Sequence, residues 1–250
     1  YISKGGNVNS FALNGNAFKT LYTKIGLPKN SLKVLGSLEH DELYSSSKTK
    51  INNGKSDTFK RITYFLPPLF GGERSEYMVM ELKKLFKEIS FTYEDNVKIQ
   101  LKAHPLDVKK NKWNDLENLL ISDSIYLIDS KGYIPQNDLI DLINESDLVI
   151  HSVSSIEFTV FALAKPSVVF LIEKSPYYFS SYRNHYEKYS HYSENITEFK
   201  SIFNEFMNHT EAFEKNSKEK ADLYTQQYMM LDGKVLDRYV IECNALMDNA

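Results

Sequence analysis

The chain has 250 residues, with 30 Lys and Arg against 33 Asp and Glu, a formal net charge of −3. At roughly 100–200 residues per domain this allows one large domain or two small ones, and the near-neutral balance excludes bulk electrostatic capture of nucleic acid. Hydrophobic residues at 42% and aromatics at 13% exclude global disorder, and the single cysteine, Cys243, excludes an intrachain disulfide framework and a cysteine-based zinc site and fits a reducing compartment.

In chain order, Phe11, Phe18, Leu21 and Ile25 suit a short amphipathic helix over Ser10–Ile25, stopped by Gly26-Leu27-Pro28. Ser31–Ser37 reads as a short strand, and Ser45–Thr58, rich in Ser, Lys and Asn, as a loop or linker. Arg61–Leu66 is a strand candidate halted by Pro67-Pro68. Glu73–Ile89 carries apolar residues at helical spacing. Val97–Leu101 and Ser124–Ile128 are strands, Gln136–Asn144 a helix, and Asp147–Ile150 a buried-type strand. A helix over Ser154–Ala164 is broken by Lys165-Pro166 before the strand Ser167–Ile172, and from Glu194 onward the chain reads as helical. The apolar runs are strand-sized and far too short to span a bilayer.

Strands alternating with helices predict parallel β-α-β units, hence an α/β fold with a Rossmann-like open parallel sheet and flanking helices. The expected division is a connector over residues 1–44, a flexible loop over 45–58, a nucleotide-binding domain over 59–193 and C-terminal helices over 194–250 packing on it.

In such a sheet, ligands bind outside the carboxyl ends of the strands. Three segments fall there. Gly71-Gly72 precede a helix start, where backbone N–H groups can approach a phosphate, although glycines also serve plain loop geometry. His104-Pro105 follows the second strand; the imidazole can donate to a phosphate oxygen, or cap a neighbouring carbonyl, and periodicity alone favours the cap. His151-Ser152-Val153-Ser154-Ser155 leads into a helix, where a single serine is ordinarily an N-cap, while two serines beside a histidine-bearing loop favour an anion site.

Lys102-Ala103-His104-Pro105, then Ser146 through Ser155, Phe158 and Ala162-Leu163-Ala164-Lys165-Pro166, together resemble GT-B glycosyltransferases with "HP" and "SS" motifs. These are the bacterial sialyl-, polysialyl- and Kdo-transferases and the CDP-glycerol glycerophosphotransferases. Gly26-Leu27-Pro28…Val34-Leu35-Gly36-Ser37…Asp41 is similar to the stretch that opens their C-terminal half, and Asp232-Gly233-Lys234…Arg238 to their closing helix. The resemblance implies a donor-binding domain in which His104 touches the donor phosphate as the catalytic residue. Ser154 and Ser155 would hold that phosphate, with Gly71 and Gly72 on a phosphate-side loop, and Tyr133, Ile134 and Ser152 would meet the base or ribose. The chain departs from the glycerophosphotransferase pattern at Thr159, where an Asp usually follows the matched phenylalanine.

The implied function is transfer of a sugar from a nucleotide-activated donor, CMP- or CDP-linked, to a bacterial surface polysaccharide or lipopolysaccharide. Protein groups would stabilise the leaving phosphate, with neither a cofactor nor a metal expected. The implied partners are the nucleotide-sugar donor and a glycan or glycolipid acceptor, without nucleic acid. The expected place is the cytoplasm, with peripheral contact at the inner face of the plasma membrane. The resemblance puts the acceptor-binding domain and the general base upstream, and a first residue of Tyr1 rather than Met suggests a processed, excised or incomplete chain with little transferase activity alone.

Two alternatives stand beside this reading: a UDP-GlcNAc 2-epimerase-like enzyme, and a non-catalytic nucleotide-binding or interaction module whose nucleotide pocket is vestigial and whose aromatic segment recruits a partner. That segment, Pro176–Tyr192, reads foremost as a packed loop crossing back over the sheet. Lys109, Lys110 and Lys112 beside Trp113 read as a solvated face, and Asn195-Ile196-Thr197 as a chance sequon.

Overall fold

A computed structural model describes residues 10–48, 59–69, 73–93, 96–109, 124–128, 136–172 and 182–247. By contact the chain divides into two compact units, one of Tyr1–Lys50 with Asp222–Ala250 and one of Ile51–Ala221.

The larger unit holds a six-stranded, all-parallel sheet of β3 (Lys60–Phe65), β4 (Val97–Lys102), β5 (Ile125–Leu127), β6 (Leu148–His151), β7 (Ser167–Phe170) and β8 (His191–Ser193). Their spatial order is β5-β4-β3-β6-β7-β8. This is the doubly wound Rossmann order, in which the chain runs outward one way from β3 and then the other way from β6, leaving a crevice at the switch point between them. The helices are α3 (Glu73–Tyr93), α4 (Pro105–Lys109), α5 (Gln136–Glu145), α6 (Ile156–Ala162), α7 (Tyr182–Tyr186) and α8 (Ile196–Asn208). α9 (Thr210–Tyr228) contains the boundary between the units.

The central strands are apolar on both faces because helices cover both. Ile62, Tyr64, Leu148, Ile150, Val168 and Phe170 pack with Leu82, Leu85 and Phe86 of α3 and Phe199, Phe203 and Phe206 of α8. Val149 belongs to a separate cluster with Ile143 of α5 and Val160 of α6. The register at the switch point is pinned by polar bonds. Asp147 Oδ2 accepts from Arg61 N at 2.7 Å, and the buried Thr63 and Ser146 hydroxyls lie 2.6 Å apart. Lys165 Nζ donates to the carbonyls of Asn144 and Ser146, at 2.6 and 3.1 Å, closing the turn before β7.

The smaller unit contains a two-stranded parallel sheet, β1 (Phe11–Leu13) with β2 (Leu32–Val34), and the helices α1 (Asn16–Lys24), α2 (Leu38–Lys48) and α10 (Val235–Met247). Here the two terminal motifs meet. Asp41 accepts from Val235 N and Leu236 N, both at 3.1 Å, and so caps α10. Arg238 donates from Nε to Leu35 O at 2.8 Å and pairs with Asp232, while the Tyr239 hydroxyl donates to Gly36 O. Gly36 has φ +93°, and a Cβ there would lie 2.8 Å from Val235 Cγ2. These motif residues are therefore structural clasps of the smaller unit.

The α/β class and the strands from β3 to β7 agree with the sequence reading. Several details differ. Ser10–Ile25 is split, because Phe11–Leu13 pairs with β2 as a strand before α1 begins. Residues 45–48 continue α2, and the rest of the expected linker, 49–58, lies outside the described residues. Helix α6 is shorter than Ser154–Ala164. The end of the aromatic segment forms α7 and the edge strand β8, and α9 was not foreseen as a separate helix. Asn195, of the chance sequon, N-caps α8 by accepting from Glu198 N at 2.9 Å. Among the described residues, no helix is long and apolar enough to cross a membrane.

Candidate functional site

The carboxyl ends of β4, β3 and β6 are neighbours in the sheet, so the segments leaving them share one edge of the switch-point crevice. They are 103–109 after β4, 66–69 after β3, and 152–155 after β6.

His104 sits where β4 gives way to α4. Pro105 opens that helix, fixing φ at a position whose N–H would have no helical partner. The ring is half-buried, and its Nδ1 accepts from Leu106 N at 3.1 Å. An accepting Nδ1 places the neutral ring's proton on Nε2. Among the described residues Nε2 has no hydrogen-bond partner, so the donor is uncommitted. The carbonyl cap that periodicity favoured is not what forms; the imidazole takes a backbone N–H instead. Burial lowers the His104 pKa, the Asp107 carboxylate raises it and the Lys102 ammonium lowers it, with a net shift downward. The resting ring is therefore a neutral Nε2–H donor near pH 7.

The segment after β3 is tied to the end of β4 and to the segment that follows it. Leu66 N donates to Lys102 O at 2.9 Å, and Leu69 N donates to Asp107 Oδ2 at 2.8 Å. Asp107 is fully buried. Gly71 and Gly72, where the phosphate-side loop was expected, lie outside the described residues, as do Tyr133 and Ile134.

After β6, Ser152 is buried, Ser154 half-buried and Ser155 exposed. Ser155 occupies the N-cap position of α6 with φ −60° and ψ −17°, and its hydroxyl makes no capping bond. An N-cap residue normally has extended backbone so that its side chain can reach the next turn's N–H; this helical geometry does not provide that. None of the Ser152, Ser154 and Ser155 hydroxyls is hydrogen-bonded among the described residues. Glu157, in the first turn of α6, is also buried and accepts from the Tyr186 hydroxyl at 2.7 Å, which anchors α6 to α7. Burial and the Glu157 carboxylate push the Tyr186 pKa strongly upward, keeping the phenol protonated as the donor.

His151, the last residue of β6, is fully buried. Its Nδ1 donates to Ser152 O at 2.8 Å, and Nε2 is buried without a hydrogen-bond partner among the described residues. Burial pushes its pKa down to about 4. It is a fixed neutral ring beneath the serine segment, 6.2 Å from Phe161 in edge-to-face contact.

The sequence located His104 and the serines through their position at strand ends. It passed over Asp107, whose signal was an acid three residues beyond His104 in a helix opened by proline. Two further histidines pack against aromatic rings: His191 stacks on Phe213 at 3.9 Å, and His185 packs edge-on against Tyr186 and Tyr189.

A protein-family model described as CDP-Glycerol:Poly(glycerophosphate) glycerophosphotransferase matches residues 17–242. No curated protein matches the chain at a significant level. Among solved structures, the wall teichoic acid polymerase TagF is similar with a TM-score of 0.56 at 21% identity, over 96% of this chain and 57% of that one. UDP-GlcNAc 2-epimerase from Neisseria meningitidis, bound to UDP-GlcNAc, is similar at 0.61 and 16%, over 92% and 59%. The S. aureus MnaA–UDP structure is similar at 0.64 and 16%, over 96% and 60%. The chain thus spans less than two thirds of the length of each. At these identities the structural likeness establishes the fold, a GT-B Rossmann-like unit, while the family model covers most of the chain.

Proposed function

This chain belongs to the CDP-glycerol:poly(glycerophosphate) glycerophosphotransferase family, and on that premise we propose that it binds the CDP-glycerol donor of a GT-B transferase acting on a cell-surface polymer. The diphosphate would lie in the crevice at the carboxyl ends of β3, β4 and β6. Glycerol phosphate is then the group moved, rather than a sugar, and a poly(glycerophosphate) chain the acceptor, rather than lipopolysaccharide. The observation that carries the reading is the His104 Nε2–H, which like three serine hydroxyls on the neighbouring segment makes no hydrogen bond among the described residues.

In the reaction, an acceptor hydroxyl attacks the β-phosphorus, the bond from that phosphorus to the bridging oxygen breaks, and CMP leaves with that oxygen. The acceptor proton goes to a general base outside the site described here. His104 donates from Nε2 to a diphosphate oxygen, an interaction that strengthens as charge builds on the leaving group. Ser154 and Ser155 offer O–H donors on the same crevice edge, with Gly71 and Gly72 proposed as the backbone side of the phosphate site. Tyr133, Ile134 and Ser152 are the proposed cytidine contacts. These are protein groups throughout, so the proposed binding is independent of a divalent metal. A cytosolic nucleotide donor and a surface polymer place the work at the inner face of the membrane.

Calorimetric titration with CDP, CMP and UDP, in the presence of EDTA, tests the reading. Tighter binding of CDP than of UDP, weakened by His104→Ala, is expected. Preference for UDP would favour the epimerase-like alternative, whose structures share the fold. No binding of any nucleotide would leave only a non-catalytic module.

A further inference from the structure

The feature that the proposed chemistry leaves unexplained is a fully buried carboxylate. Asp107 has no accessible surface, yet it is an ionisable side chain in the first turn of α4. Burying a carboxylate is costly unless its oxygens are satisfied by donors, so its place in the interior calls for a specific partner. One partner is distant in sequence: Oδ2 accepts from Leu69 N at 2.8 Å across the crevice edge. The other end of the same turn is His104, whose carbonyl accepts from Asp107 N at 3.0 Å.

We propose that Asp107 is a positioning residue for the donor site, one side chain that fixes the backbone of the loop after β3 at Leu69 and sets the charge beside His104. The proposal rests on the functional reading above only for what the site binds. The bond to Leu69 holds the segment leading to Gly71 and Gly72 against the segment bearing His104. A second tie between these segments is the backbone bond from Leu66 N to Lys102 O, at the very end of the strand ladder. The charge acts separately. Among the described residues, the charged groups that act on His104 are Lys102 on β4, which disfavours the imidazolium, and Asp107 on α4, which favours it. Asp107 therefore offsets Lys102 and burial, and keeps the imidazolium within reach as negative charge accumulates on a bound diphosphate.

Two substitutions separate these roles. Asp107→Asn keeps a carbonyl-type acceptor for Leu69 N while removing the charge; Asp107→Ala removes both. In ligand-free protein, the His104 ring titration followed by NMR moves to lower pH in Asp107→Asn. The Leu69 amide stays protected from hydrogen exchange in the wild type and in Asp107→Asn, and loses protection in Asp107→Ala. An unmoved His104 titration, or a Leu69 amide still protected in Asp107→Ala, would overturn the proposal. Should Asp107→Ala fail to fold, the His104 titration in Asp107→Asn still decides it. With CDP as the probe, Asp107→Ala weakens binding by about tenfold or more. In Asp107→Asn, the pH above which CDP affinity falls moves downward with the His104 titration. If the wild type binds no CDP, the donor reading fails, and the two ligand-free measurements still judge Asp107 by themselves.

Discussion

Acidification should destabilise the larger unit through His151, and the size of the effect follows from its burial. The ring is fully enclosed, with Nδ1 bonded to Ser152 O and Nε2 without a hydrogen-bond partner among the described residues, and its pKa falls from 6.5 to about 4. In the unfolded chain the same histidine takes up a proton as the pH drops through its ordinary value, while the folded protein resists until about pH 4. The unfolded state therefore binds more protons across that window, and stability is lost as pH falls. The cost accumulates to about 3 kcal/mol by the lower limit, with roughly half of it reached a pH unit below the unfolded pKa. Denaturant unfolding near pH 7 and near pH 4, comparing the wild type with His151→Phe, isolates this contribution. The wild-type advantage should shrink by about 3 kcal/mol between the two conditions. Parallel losses in both proteins would refute the assignment of a buried neutral ring. His191, whose pKa burial and Lys220 also push down to about 4, contributes in the same direction and is unaffected by the substitution.

Other outcomes follow from the same geometry. Asp41→Ala removes the carboxylate that accepts from Val235 N and Leu236 N, and should cost about 1–2 kcal/mol of stability, measured by thermal unfolding. Gly36→Ala places a Cβ on a backbone at φ +93° and 2.8 Å from Val235 Cγ2, so it should destabilise by about 1–3 kcal/mol, whereas Lys29→Ala, on an exposed turn, should be near neutral. Ser155→Ala should leave the melting temperature unchanged, because its hydroxyl caps nothing, while weakening CDP in calorimetry. A loss of stability without a loss of binding would reverse that assignment.

Much of the fold was legible because its strands are buried on both faces and read as apolar runs, as in Leu148-Val149-Ile150 and Ser167–Phe170. The edge strand β8 was not, since His191–Ser193 is three residues long and ends an aromatic stretch without alternation. Helix α9 was hidden for the opposite reason. It is mostly polar, and its buried face, Phe213, Ser217, Ala221 and Tyr224, keeps helical spacing but is interrupted by a serine and an alanine, so no apolar stripe shows. At the proposed site, His104 and Ser154-Ser155 stand out in the sequence because ligands in such sheets bind at strand ends, and the structure puts them there. Asp107 could not, because its meaning lies in a bond to Leu69, a residue 38 positions away. The motif pair Gly36…Asp41 and Asp232…Arg238 was recognisable as two separate patterns; only the folded chain shows that each satisfies the other's backbone groups.

A crystal structure of the protein with CDP-glycerol decides where the donor's diphosphate sits. The diphosphate is expected at the carboxyl ends of β3, β4 and β6, with His104 Nε2 and the Ser154 or Ser155 hydroxyl within hydrogen-bond distance of its oxygens. A nucleotide bound elsewhere, or one whose phosphates leave His104 Nε2 unpartnered, would contradict it.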